Sequence, residues 1–326
     1  MKKKIYLHIG THKTGTTSFQ QLIRKNARAL ELQDIYVPPV GKLTDGDVDY
    51  QMHGGGLHLI CSAFRGKVDF NVIDAYLRNF ERSGCTSACI SSEGFDSLNK
   101  NQIDKISKTF DSYDIKILLV LRHPLSLAKS FFCSRGGVRN VTNFDFLDAT
   151  LNMRRFNYSS LINDYSNIGD VIVFKYDDFN NINDALMREI KVADHNLIEV
   201  EKKLRKSIDP YIAIANQQIY SAFGVDEKIY LKTIYPYLIE FADSQVNSDS
   251  GKSSPFPVEK QKLFMEKWVE LVFDSDCPVM QEDRWESWRE VKAMGEFVNP
   301  ALVNEFKENF LNWLFSNYLN RKKVII

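Results

Sequence analysis

IYLHIGTHKTGTT, residues 5–17, decides the fold. Ile5, Leu7 and Ile9 alternate with Tyr6 and His8 until Gly10 stops the apolar run, the pattern of a short strand and then a tight turn. Thr16, Thr17 and Ser18 lead into FQQLIRKNARAL, where Phe19, Leu22, Ile23, Ala27 and Leu30 recur at helical spacing. A strand that feeds a helix through a turn rich in Gly and Thr gathers free backbone N–H groups and the positive end of the helix at one point. That point suits a phosphate.

Outward from this unit, strands and helices alternate. Phe70, Ile73, Leu77 and Phe80 mark an amphipathic helix over 69–82, and SACISSEGF then reads as a second buried strand ending at Ser91–Glu93. A helix entered near Asn99 follows. IKILLVLRHP comes next, and its unbroken run ILLVL between Lys116 and Arg122 indicates burial on both faces, as in a parallel sheet. A fourth strand, DVIVFKYDDF, spans Asp170 to Phe179. The pattern predicts an α/β fold, a mostly parallel central sheet flanked by helices over residues 1–185. Residues 186–326 form a mainly helical extension contributing to the substrate cleft, the whole being one domain. In that extension Pro236 interrupts or restarts a helix, NSDSGKSSPFP (247–257) is a loop and candidate lid, and the aromatics of the last helices are packing surface.

Composition narrows the classes. The chain has 326 residues with 42 basic and 42 acidic side chains, a balance that argues against binding nucleic acid by bulk charge. The five cysteines, Cys61, Cys85, Cys89, Cys133 and Cys277, are odd in number and form no CxxC pair, so they read as reduced thiols and not as a disulfide framework or zinc site. The apolar run after MKKK is too short for a signal peptide, and no window approaches the ~20 apolar residues of a membrane span. The expected setting is cytoplasmic.

In an open parallel sheet, ligands bind beyond the carboxyl ends of the strands. Those ends carry Gly10–Thr17, Ser91–Glu93, Arg122–Ser130 and Tyr176–Asp178. Gly10 and Gly15 have the GxxxxG spacing of a P-loop NTPase, but the second glycine is followed by Thr16 and Thr17 where Lys and Ser/Thr belong, and the lysine stands earlier, at Lys13. The strand at 115–121 ends in Arg122, His123 and Pro124, where a metal-holding acid would be expected. A nucleotide kinase is thus the alternative reading. Arg122, with Ser130 about two helical turns on, forms a candidate second anion clamp. Two clamps point to a nucleotide phosphorylated at separate positions.

Two motifs resemble the sulfotransferases that use 3′-phosphoadenosine 5′-phosphosulfate (PAPS). HIGTHKTGTTSFQ, residues 8–20, is similar to the family's 5′-phosphosulfate loop, and LVLRHPLSLAKSFF, residues 119–132, to its 3′-phosphate motif; VIVFKYDDF resembles the strand that follows. The resemblance covers roughly the first 180 residues. It implies that His12, Lys13, Thr14, Gly15, Thr16 and Thr17 hold the 5′ group, the last two also through their hydroxyls. Lys13 would stabilise charge on the leaving oxygen. Arg122 and Ser130 would hold the 3′-phosphate, with Arg205 and Lys206 of the basic run KKLRKS (202–207) adding cations. The product would be the 3′,5′-bisphosphate (PAP), with no metal needed. The acceptor must lose a proton, and Glu93, His58 and His53 are the candidate bases, with His12 a further one. Ser-Ser-Glu-Gly stands where animal cytosolic members show Lys-Thr-His, so the chain is more similar to the bacterial carbohydrate-type branch. The implied acceptor is a hydroxyl of a glycan, glycolipid or polysaccharide precursor; a glycolipid would admit peripheral association with a membrane. A module that binds PAP or PAPS without turnover is the remaining alternative.

Overall fold

A computed structural model describes residues 2–11, 13–38, 56–134, 145–193, 209–224, 226–244, 253–292 and 296–316. It contains an all-parallel five-stranded sheet: β1 (Lys4–Gly10), β2 (Ile35–Tyr36), β3 (Ser87–Ser91), β4 (Asp114–Leu121) and β5 (Asp170–Lys175), in the spatial order β2-β3-β1-β4-β5. From β1 the chain crosses to the edge strand β2, returns to β3 beside β1, and then passes to the other side of β1 through β4 and β5. Beyond the carboxyl end of β1 the order reverses, which is where such sheets open a crevice.

The α/β class and the parallel sheet agree with the periodicity. Ile117 to Leu121 are fully buried, because a strand covered by helices on both faces has no solvent side to alternate toward. One face of the sheet packs Tyr6, Cys89, Leu118 and Val120 against Phe19, Ile23 and Leu186 from the helices Thr16–Lys25 and Ile182–Glu189. Each such large apolar side chain contributes roughly 1.5–3 kcal/mol by leaving water. Helix Lys100–Thr109 starts at Asn99 through a capping box with Gln102. Helix Asn71–Ser83 lies where the apolar spacing put it, and Gly84 closes it in the left-handed region; a further helix, Gly56–Phe64, precedes it.

Two boundaries differ from expectation. β2 is a fifth strand that the periodicity missed, because two residues carry no measurable alternation. The strand read as 170–179 ends at Lys175, and Tyr176–Asp178 turn into a 3₁₀ segment. There Asp177 accepts a hydrogen bond from the His123 backbone N–H, which draws the chain out of the sheet plane.

The chain divides into two compact units that interleave along the sequence and do not follow a cut near residue 185. The first comprises Met1–His123, Asn157–Lys203 and Val272–Trp285, and holds the whole sheet. The second comprises Pro124–Phe156, Leu204–Leu271 and Glu286–Ile326, and its described segments are largely helical. Inside it, Trp268 donates from Nε1 to the Phe156 carbonyl at 2.8 Å, Phe256 packs on Phe132 and Phe146, and Phe241 meets Phe306, Phe310 and Trp313. The helical repeat of these aromatics is packing surface. Pro236 stands in the first turn of helix Tyr235–Ser244, directly after helix Glu227–Thr233, so its missing N–H breaks no helical bond. All five cysteines are buried free thiols. Among the described residues no helix is long and apolar enough to cross a membrane. The loop at 247–257 is described from Ser253 onward; its earlier residues lie outside the described ones.

Candidate functional site

Register brings three strand ends together in the first unit. His8 of β1 pairs with Ser91 of β3, and Gly10 of β1 with Val120 of β4. Ser92 and Glu93 therefore leave the sheet on one side of the loop, Arg122 on the other. Beyond them, Lys175 of β5 pairs with Leu121, which puts Tyr176 next to Arg122.

The loop itself is built from buried hydroxyls and two left-handed residues. Thr11 donates to the Val120 carbonyl from its N–H (3.3 Å) and from Oγ1 (3.0 Å), pinning the start of the loop to β4. Thr14 Oγ1 donates to the Thr11 carbonyl and lies 3.5 Å from Thr16 Oγ1. Lys13 and Gly15 have φ of 70° and 80°. Gly15 takes this conformation freely, whereas an L residue such as Lys13 pays about 1–2 kcal/mol for it. The first helix then runs Thr16–Lys25, without an acidic residue in its first turn and without a side-chain cap, which leaves its early N–H groups available to an anion.

Thr16 and Thr17 part company here. Thr17 is exposed, while Thr16 is buried and turns its hydroxyl beneath the loop into the space that Gly10 leaves open. A Cβ on Gly10 would overlap Thr16 Oγ1 and come within 3.2 Å of His8 Cε1. In this structure the Thr16 hydroxyl thus braces the loop from below, and Thr17 is the hydroxyl open to a ligand. Gly10→Ala is expected to lower stability by about 1–3 kcal/mol in urea unfolding. Thr16→Ala in the same chain should return part of that loss in a double-mutant cycle; strictly additive effects would contradict the brace.

Arg122 is tied into the site at several points. Its Nη1 donates to the Lys13 carbonyl at 3.0 Å, its guanidinium carbon lies 5.2 Å from the Tyr176 ring centroid, and its Nε stands 3.9 Å from Asp177 Oδ1. That Nε is buried and has no hydrogen-bond acceptor among the described residues. The Arg122 carbonyl accepts from Tyr158 Oη at 2.6 Å, and burial pushes the Tyr158 hydroxyl pKa well up. Tyr176 and Asp177 were visible in sequence as a polar strand end, but nothing in the spacing assigned them to Arg122.

Glu93 opens the 3₁₀ turn Glu93–Ser97 after β3 and is half-buried. The turn is held firmly. Ser92 Oγ accepts from Gly94 N at 3.2 Å, Arg65 donates to the Gly94 carbonyl at 2.6 Å and to Ser97 Oγ, and Tyr165 Oη donates to the Phe95 carbonyl at 2.9 Å. His8 was missed by sequence reading as anything but a strand residue. It is fully buried under the loop, with Nδ1 2.7 Å from Ser91 Oγ, and burial pushes its pKa down to about 3. A polar side chain in an otherwise apolar buried strand was the signal.

Ser130 lies half-buried on helix Pro124–Ser134 of the second unit, whereas Arg122 belongs to the first. His58 falls in helix Gly56–Phe64, with its side chain outside the described ones; His12, His53, Arg205 and Lys206 lie outside the described residues. Among the described residues no group of three His, Cys, Asp or Glu is placed to hold a metal. No family model, curated protein or solved structure matches the chain.

Proposed function

We propose that this protein is a sulfotransferase that moves the sulfuryl group of PAPS to a hydroxyl of a carbohydrate acceptor. The observation that carries the reading is a guanidinium at the end of β4, hydrogen-bonded to a lysine-bearing anion loop, where a P-loop NTPase needs a metal-holding carboxylate. The donor set fits a doubly anionic nucleotide. The N–H groups at the start of the first helix, Thr17 and Lys13 suit the 5′ group, and the guanidinium of Arg122 beside the loop suits a further phosphate.

PAPS would supply the activated sulfuryl group; the chain's residues do the rest. Glu93 takes the proton of the acceptor hydroxyl as that oxygen forms its bond to sulfur. Lys13 stabilises the negative charge on the phosphate oxygen as its bond to sulfur breaks. The rigid turn at 93–97 keeps the Glu93 backbone in place, and His58 and His53 remain rivals for the same proton.

Labelled sulfate supplied as PAPS, with a panel of glycan and glycolipid acceptors, tests the proposal. Transfer that persists in EDTA is expected, and Glu93→Gln should cut turnover about 10²–10⁴-fold while leaving PAP binding intact. Magnesium-dependent ATP affinity without PAPS affinity would point instead to a kinase. PAP binding with no turnover to any acceptor would point to a binding module.

A further inference from the structure

We infer that Arg122 positions the 5′ anion loop as well as meeting the 3′-phosphate, so that the two half-sites are mechanically one. The inference rests on the proposed function for its ligands, but its geometry is in the protein alone. Lys13 is held at φ 70°, a conformation that an L residue does not keep without support. One support is the Arg122 Nη1–H bonded to the Lys13 carbonyl, across 109 positions of sequence.

The guanidinium is in turn seated from several sides. Tyr176 lies against it at 5.2 Å, and the same ring reaches the loop, since a Cβ on Gly15 would lie 3.5 Å from Tyr176 Cε2. Tyr176 is thus wedged between Arg122 and the second left-handed residue of the loop. Asp177 is anchored by the His123 N–H at 2.8 Å and stands beside Arg122 Nε, while Tyr158 fixes the Arg122 carbonyl at 2.6 Å. Nη1 is committed to the loop, and Nε faces the Asp177 carboxylate. A phosphate paired with the guanidinium would tighten the hold on Arg122 and, through Nη1, on Lys13. Tyr176 is then a positioning residue for both.

A ligand that lacks the 3′-phosphate separates the two roles of Arg122. Binding of adenosine 5′-phosphosulfate and of PAPS is measured by calorimetry for the wild type and for Arg122→Met. If Arg122 shapes the loop, the variant loses about tenfold or more in affinity for adenosine 5′-phosphosulfate, and more still for PAPS. If it only binds the 3′-phosphate, adenosine 5′-phosphosulfate binds as to wild type and the inference is overturned, while the proposed function stands. Hydrogen exchange of the ligand-free protein supplies a readout that needs no nucleotide. Faster exchange across residues 13–16 is expected in Arg122→Met and in Tyr176→Ala, with exchange in β3 unchanged. Wild-type rates in the loop of Tyr176→Ala would overturn the inference even where Arg122→Met fails to fold. A wild type that binds neither nucleotide would remove the proposed function, and loop exchange would then judge the Arg122 brace by itself.

Discussion

Lys13→Gly is expected to remove most of the proposed sulfuryl transfer without weakening the fold. Glycine adopts the left-handed conformation of Lys13 without steric penalty, so the φ of 70° costs nothing in the variant. Relief of about 1–2 kcal/mol in the folded state is opposed by the greater freedom of glycine in the unfolded chain, roughly 0.5–1 kcal/mol. Urea unfolding should therefore show a stability unchanged or raised by up to about 1.5 kcal/mol. The carbonyl that accepts from Arg122 is backbone and survives the substitution. What disappears is the ammonium group. Loss of a preorganised charge at the leaving oxygen corresponds to a fall in kcat of about 10²–10³-fold. Lys13→Ala should lose as much activity but gain no stability, since its Cβ keeps the strain. Retained turnover in Lys13→Gly would take the lysine out of the chemistry. A loss of stability in the glycine variant would mean that the side chain, and not Arg122, holds the loop.

The parts of this geometry that were legible in sequence are local. The run Ile117–Leu121 could only be a strand buried on both faces, and Gly10 after an alternating strand could only end it. β2 was not legible, since two residues gain their strand character from pairing Ile35 with Ser87 and Tyr36 with Ala88, a long-range event. The turn at Tyr176–Asp178 was read as strand because its neighbours alternate, whereas its course is set by the bond from the His123 N–H to Asp177. The same limit applies to the site. The lysine, threonines and arginine were identifiable by type and order. That Thr16 turns under the loop follows from the absent Cβ of Gly10, and that Arg122 reaches the Lys13 carbonyl follows from the pairing of β1 with β4. Interleaving of the two compact units was equally hidden, because residues 272–285 return to the first unit by contacts far apart in sequence.

Acid should destabilise this protein well before its carboxylates titrate, and two histidines beside the site are the reason. Burial pushes the pKa of His8 down to about 3, and burial, offset in part by Asp177 and reinforced by Lys175 and Arg122, pushes His123 down to about 4. Both imidazoles are released on unfolding to an ordinary value near 6.5. Above that pH both states are neutral and the stability is fully present. As pH falls from 6.5 toward the folded values, the unfolded chain binds protons that the folded chain refuses, so stability falls by roughly 1.4 kcal/mol per pH unit for each histidine. By pH 4.5 the pair removes on the order of 4 kcal/mol, after a discount for the partial exposure of His123; that is a large share of the ~5–15 kcal/mol of a typical domain. Carboxylates held low by partners, such as Glu81 with Lys3 and Tyr113, add their loss only at lower pH. Urea unfolding at pH 7.5, 6.5, 5.5 and 4.5 should show a plateau and then this decline. His8→Leu, which keeps the bulk and removes the titration, should flatten the slope by about one proton below pH 6.5 while lowering the plateau through loss of the Ser91 bond. An unchanged slope in that variant would mean that His8 is protonated in the folded protein. The loop floor would then carry a charge directly beneath the proposed anion site, and donor affinity would rise in acid as the fold weakened.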